Sequence, residues 1–158
     1  MNKNNILFFL LFILGVPGYA QKAEVIKFDR LEALISQESE KVMVINFWAT
    51  WCGPCVKELP YFKKLDAENE DVNVYLISLD FVEKLDRVNA FIERKELVSP
   101  VLLLDEMDYN SWIDKVDESW SGAIPATLVI NAATGQRKFV EKELEEGELE
   151  KLIAELSN

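Results

Sequence analysis

The residues of this chain best suited to chemistry are its two cysteines, Cys52 and Cys55, and its carboxylates; histidine is absent. The commonest general base and the commonest metal ligand are therefore missing. Gly53 and Pro54 separate the cysteines, a spacing that lets the sulfurs reach bonding distance across the first turn of a helix. Unpaired N–H groups and the helix dipole at such a terminus favour negative charge. A thiol placed there has a lowered pKa and is more often the reactive thiolate. Pro54 fits a first turn, where its missing N–H would have had no partner. The expected cycle has Cys52 as nucleophile, reached from solvent, and Cys55 as resolving thiol, one turn inside and partly covered. Cys52 attacks a substrate disulfide, and Cys55 then attacks Cys52 and frees the reduced product.

Other readings of the pair are weaker. A purely structural disulfide closing so small a loop removes little entropy from the unfolded chain. Half a zinc site has no further cysteine and no histidine to complete its ligand set, so no metal is expected. A redox-silent remnant would have lost a cysteine, and both are present.

The elements that must position the pair follow from hydrophobic patterning. Lys41–Trp48 is apolar almost throughout, as in a strand buried on both faces, and a helix is expected over Gly53–Ala67. The motif therefore joins a buried strand to a helix N-terminus. Val25–Phe28 reads as a short strand, with Asp29 capping a helix to Ser36. Val72–Leu79 and Pro100–Leu104 read as further strands. Val82–Leu97 carries Leu85, Val88, Phe91 and Ile92 at helical spacing, and Tyr109–Val116 reads as a short helix. Ala126–Asn131 and Gln136–Val140 read as a hairpin turned at Thr134-Gly135. Gly147–Leu156 has an apolar stripe of Leu149, Leu152, Ile153 and Leu156. Strands alternating with helices, followed by a hairpin and a closing helix, describe one α/β domain. The acidic run Glu141–Glu150 reads as a solvated face.

The first twenty residues stand apart from this pattern. Met1–Asn5 is polar with Lys3, Ile6–Val16 is unbroken apolar, and Pro17-Gly18-Tyr19-Ala20 follows. This is the order of a secretory signal peptide, residues 1–20, cut after Ala20. The alternative is an uncleaved N-terminal anchor, although a spanning helix needs about 20 apolar residues. No cysteine lies near the cut, which argues against a lipid-modified N-terminus. The remaining segment, 21–158, is long enough for one domain with a hydrophobic core. The chain has 28 acidic and 17 basic residues and a formal charge of −11, more negative by one once Lys3 leaves. Such a surface repels phosphate backbones, which excludes nucleic acid as an expected partner.

Phe47-Trp48-Ala49-Thr50-Trp51-Cys52-Gly53-Pro54-Cys55 resembles the active-site segment of the thioredoxin superfamily. Together with the leader, it most resembles the exported TlpA-type, ResA-like thiol–disulfide oxidoreductases. A second diagnostic segment is Gly122-Ala123-Ile124-Pro125-Ala126-Thr127, similar to the family's cis-proline loop. The resemblance implies a thioredoxin-like fold, with a central mixed β-sheet flanked by helices on both faces. It implies that the Ile124–Pro125 bond is cis and lies opposite the cysteines. It also implies that Ile124 pairs its backbone with an extended substrate, beside Trp51, Gly53, Pro54 and Pro125. Trp51 and Trp120 are candidates for an apolar rim, Trp120 equally for the core, and Trp112 for the core.

One position departs from the family. Thioredoxin has a buried aspartate six residues before its first cysteine; here Asn46 stands there, and an amide cannot exchange a proton. Glu58 is the candidate replacement, since TlpA-type proteins place a glutamate three residues after the second cysteine. At about 100° per residue, Glu58 falls near Cys55 on the arc of Leu59, Phe62 and Leu65. Partial desolvation there would raise its pKa and suit it to move protons to and from Cys55. The alternative is an edge glutamate paired with Lys57 or a neighbour.

The expected function is that of an exported, periplasmic or otherwise extracytoplasmic protein-disulfide reductase. Its Gly-Pro dipeptide is that of thioredoxin, which is reducing at about −270 mV. No cofactor is expected beyond the Cys52–Cys55 couple. The expected partners are disulfide-containing proteins, apocytochromes c among the candidates, and a membrane thiol electron donor; the chain itself is expected to be a monomer. Two alternatives are a thiol peroxidase, although no arginine neighbours Cys52 in sequence, and a non-catalytic thioredoxin-like binding module.

Overall fold

A computed structural model describes residues 21–156; the expected signal peptide, 1–20, lies outside the described residues. The chain runs through β1 (Glu24–Ile26), α1 (Phe28–Ile35), β2 (Val42–Trp48), α2 (Gly53–Glu68), β3 (Val72–Ser78) and α3 (Leu85–Lys95). It continues through β4 (Val101–Leu104), α4 (Ile113–Val116), β5 (Ala126–Asn131), β6 (Gln136–Val140) and α5 (Glu148–Leu156). The strands form a mixed sheet of order β1-β4-β3-β2-β5-β6. The first four positions pair parallel, while β5 runs antiparallel to both β2 and β6.

Residue alternation in β2 accounts for its continuous apolar character. Met43, Ile45 and Phe47 enter one core with α1, Trp112 and Trp120. Val44 and Trp48 enter the other, beneath α2, α3 and α5. Successive side chains of a strand point to opposite faces, and both faces here carry helices. Asn46 shares the face of Val44 and Trp48, so a polar side chain is directed under α2. The register pairs Asn46 with Leu76 of β3 and Thr127 of β5, in the middle of the sheet.

Several boundaries differ from the sequence expectation for physical reasons. The first strand ends at Ile26 rather than Phe28, and Lys27 rather than Asp29 is the N-cap of α1. Phe28 is buried and stacks on Trp112 with centroids 6.1 Å apart, which draws it into the first helical turn. Asp29 instead accepts the Arg30 N–H at 2.8 Å, a favourable place for an acid. The helix expected over Val82–Leu97 is a 3₁₀ turn, Val82–Lys84, followed by α3. It stops at Glu96, whose φ of 51° is left-handed, and the Leu97 N–H bonds back to the Ile92 carbonyl at 3.1 Å. That closure places Leu97 in the core, with the backbone groups satisfied as in a Schellman ending. Tyr109–Val116 likewise divides into a 3₁₀ turn, Tyr109–Ser111, and α4.

The inner face of α2 anchors the motif through Leu59, Phe62 and Leu65. Truncating Phe62, which is fully buried, to alanine should cost about 3–5 kcal/mol. Val98→Ala at an exposed site should stay within about 0.5 kcal/mol. Urea unfolding of the oxidised protein measures both, and similar losses at the two sites would contradict this account of the core.

Candidate active site

Cys52 is the N-cap of α2 and is joined to Cys55 by a disulfide. The Cys55 N–H points at Cys52 Sγ at 3.3 Å, and the Val56 N–H reaches the Cys52 carbonyl at 3.0 Å. The first turn thus aims one backbone donor, the Cys55 N–H, at the sulfur expected to become anionic, an arrangement that favours a thiolate. Exposure is smaller than expected at both sulfurs. Cys52 retains 6% of its surface and Cys55 none. Bonding to Cys55 and the approach of Ile124 cover most of Cys52, while the apolar face of α2 encloses Cys55.

The Ile124–Pro125 peptide is cis, and the Ile124 carbonyl oxygen lies 3.8 Å from Cys52 Sγ. Trp51, 61% exposed, stands beside the pair. It borders a groove of about 310 Å³ lined also by Leu79, Tyr109, Ile113, Gly122 and Ile124. Trp120 does not join this rim: it is buried against Phe47 and Trp112, and its Nε1–H donates to the Ala123 carbonyl at 2.8 Å. Trp112 lies in the same core.

Glu58 is fully buried, more than the partial desolvation read from its helical position. It is not paired with Lys57, which reaches outward to Glu143. Asn46 Nδ2 donates to Glu58 Oε1 at 2.8 Å, and the Leu144 N–H donates to Oε2 at 2.7 Å. Burial pushes its pKa up to about 7, against the lowering effect of the Leu144 and Asn46 hydrogen bonds, with Glu143 adding repulsion. Asn46 also donates to Thr127 Oγ1 at 3.1 Å. An aspartate at 46 would set two carboxyl groups within hydrogen-bond reach, and such a pair cannot both ionise. The amide leaves Glu58 as the group that can exchange a proton at this spot.

Two features escaped the sequence reading. Asp80 is buried just past β3, and its carboxylate accepts from the Thr50 N–H at 2.8 Å, Thr50 Oγ at 2.6 Å and Ser78 Oγ at 2.9 Å. It fixes the bend that delivers Trp51 and Cys52. An acid closing an apolar strand was the available signal. Second, the run from Glu141 is not simply a solvated face. Leu144 is buried with its N–H on Glu58, and Glu141 accepts from Ser121 and Ala123. Leu144, an apolar residue inside an acidic run, marked that inward turn.

A buried carboxyl one helical turn past a Cys-Gly-Pro-Cys disulfide, with a cis-proline loop beside the first sulfur, is an arrangement for thiol–disulfide exchange. The pattern defining the AhpC/TSA family matches residues 21–135. The chain belongs to the AhpC/TSA family. Within this family it is of the ResA/TlpA type. The thiol-disulfide oxidoreductase ResA of Oceanobacillus iheyensis is 36% identical over 89 residues, covering 55% of this chain and 45% of that protein. The ResA protein of Bacillus thuringiensis subsp. konkukian is 30% identical over 124 residues, covering 65% of this chain and 72% of that one. The chain thus spans less than half the length of the first and nearly three quarters of the second. Among solved structures, a thioredoxin-related protein from Neisseria meningitidis serogroup B superposes with a TM-score of 0.66. It is 26% identical, with 78% of this chain and 90% of that one covered.

For this AhpC/TSA-family chain the raised Glu58 pKa carries a stability signature. A carboxyl that titrates higher in the folded state keeps its proton longer there. Between its ordinary value of 4.5 and about 7, the native state binds more protons than the unfolded chain, so stability falls as pH rises. Below that window the contribution is fully present. The oxidised wild type, referenced to Glu58→Gln, should lose about 3 kcal/mol across it. Urea unfolding at a series of pH values checks this, and a flat difference would refute burial as the cause.

Proposed function

We propose that this protein is an exported protein-disulfide reductase that uses Cys52 as nucleophile, Cys55 as resolving thiol and Glu58 as proton carrier. The observation that carries the reading is the Cys52–Cys55 pair at the start of α2. Only an edge of Cys52 is open, and it lies beside Ile124. In the reduced protein the Cys52 thiolate attacks one sulfur of a substrate disulfide. The substrate S–S bond breaks, a mixed disulfide forms, and the departing substrate thiolate takes up a proton. Glu58, one helical turn beyond Cys55, accepts the Cys55 proton. The Cys55 thiolate then attacks Cys52 Sγ, breaks the mixed disulfide and expels the second substrate sulfur as a thiolate, which takes up a proton as Glu58 gives up the one it accepted. Two electrons have moved, the substrate disulfide is reduced, and Cys52–Cys55 is oxidised, the state seen here. A membrane thiol donor in an otherwise oxidising compartment would return the pair to its reduced form.

A group titrating near 7 suits this work, because it can both take and give a proton near neutral pH. Substrate main chain pairs with Ile124, and the apolar groove beside Trp51 takes a side chain. Recognition through backbone tolerates varied sequences. Apocytochromes c are candidate clients. The leader pattern of residues 1–20 supports export, and the Gly-Pro dipeptide supports the reducing direction. The peroxidase reading receives less support, since the resolving thiol shares the nucleophile's own helical turn, which favours dithiol exchange.

With dithiothreitol as donor, the protein should reduce insulin, Cys52→Ser should abolish turnover, and Cys55→Ser should accumulate mixed disulfide. Glu58→Gln should flatten the pH dependence of exchange around neutrality. Redox titration should give a potential near thioredoxin's, about −270 mV; one near −120 mV would make the protein an oxidant instead. Peroxide consumption by the reduced protein without insulin turnover would replace the whole reading with a peroxidase.

A further inference from the structure

The loop that precedes the cis-proline is held from outside by one side chain. Glu141 is the first residue after β6. Its Oε2 accepts the Ser121 N–H at 3.0 Å, and its Oε1 accepts the Ala123 N–H at 3.0 Å and the Ser121 hydroxyl. A carboxylate that gathers two backbone donors and a hydroxyl from Ser121 and Ala123, the residues on either side of Gly122, leaves that backbone little freedom. Hydrogen bonds to a charged acceptor are the stronger kind.

Between those two donors stands Gly122 with φ +93°, and a Cβ there would come within 3.0 Å of Ile113 Cδ1. The loop is therefore packed down on Ile113 and tied by Glu141. Ser121, Gly122, Ile113 and Ile124 all line the groove beside Trp51. The next carbonyl after the tied segment is that of Ile124, 3.8 Å from the reactive sulfur. Three residues past Glu141, the Leu144 N–H holds Glu58, and Glu143 pairs with Lys57 on α2. The segment that carries Glu141 is thus itself anchored to the helix bearing the cysteines.

We propose that Glu141 is a positioning residue that sets the main chain of Ser121–Ile124 for pairing with extended polypeptide disulfides, and so sets preference for protein over small-molecule substrates. It touches no reacting atom; it acts through the loop. A small disulfide needs Cys52 but no strand-like pairing, so it should feel Glu141 much less. The inference rests on the reductase reading and deepens it.

The test compares insulin with hydroxyethyl disulfide in dithiothreitol-driven turnover by the full protein. In Glu141→Ala the ratio of kcat/KM for insulin to that for hydroxyethyl disulfide should fall about tenfold, with the loss in KM. Amide hydrogen exchange at Ser121 and Ala123 should accelerate. Glu141→Gln, which keeps an acceptor oxygen, should recover part of both effects. An unchanged ratio, or an equal fall for both substrates, would overturn the positioning role while leaving the reductase reading intact. Wild-type protein that cycles hydroxyethyl disulfide but never insulin would overturn both.

Discussion

Glu58 gives up all its water to sit under α2, and two donors replace that solvent: the Asn46 amide from the central strand and the Leu144 N–H from the turn after β6. Those donors come from parts of the chain 12 and 86 residues away, so the carboxylate pins together the middle of the sheet, the cysteine-bearing helix and the end of the hairpin. Burial raises its proton affinity, while the two hydrogen bonds keep ionisation within reach. A salt bridge would have held the group ionised through the neutral range. Lys57 lies next to it in sequence but turns outward to Glu143, and among the described residues no cation pairs with the inner carboxyl.

The surrounding polar contacts divide the labour. Asp80 stabilises the bend between β2 and α2 through Thr50. At the helix start the Cys55 N–H points at Cys52 Sγ, and the Ile124 carbonyl lies 3.8 Å from the same sulfur. Each group is short-range, yet all depend on β2 lying between β3 and β5, because that order brings the cysteines, the cis-proline loop and the tail of β3 to one end of the sheet. The fold thus supplies proximity, and a few buried polar side chains supply orientation.

Much of this was legible before any coordinates. The buried strand before Trp51, the helix after Gly53, the hairpin and the amphipathic ending all follow from local periodicity, which needs only neighbouring residues. The cysteine pair and the Gly122–Thr127 segment carry their meaning in adjacent letters. Illegible were the partners of polar groups, since Glu58 meets Leu144 and Glu141 meets Ser121 only after the sheet has formed. Composition suggested that an acidic stretch faces water, and Lys142, Glu145 and Glu146 do; the backbone N–H of Leu144 turns inward to Glu58, while the side chain of Glu141 folds along the surface onto Ser121 and Ala123. Capping failed at Asp29 for a related reason: the pull of Phe28 toward Trp112 outweighed a local preference.

The buried carboxyl also makes the molecule its own reporter. Side chains that gain or lose a proton around neutrality are ordinarily histidines, and this chain has none. The vibrational band of one un-ionised acid, well separated from those of ionised carboxylates in solvent, would therefore follow the electrostatics beneath the cysteines with no label attached.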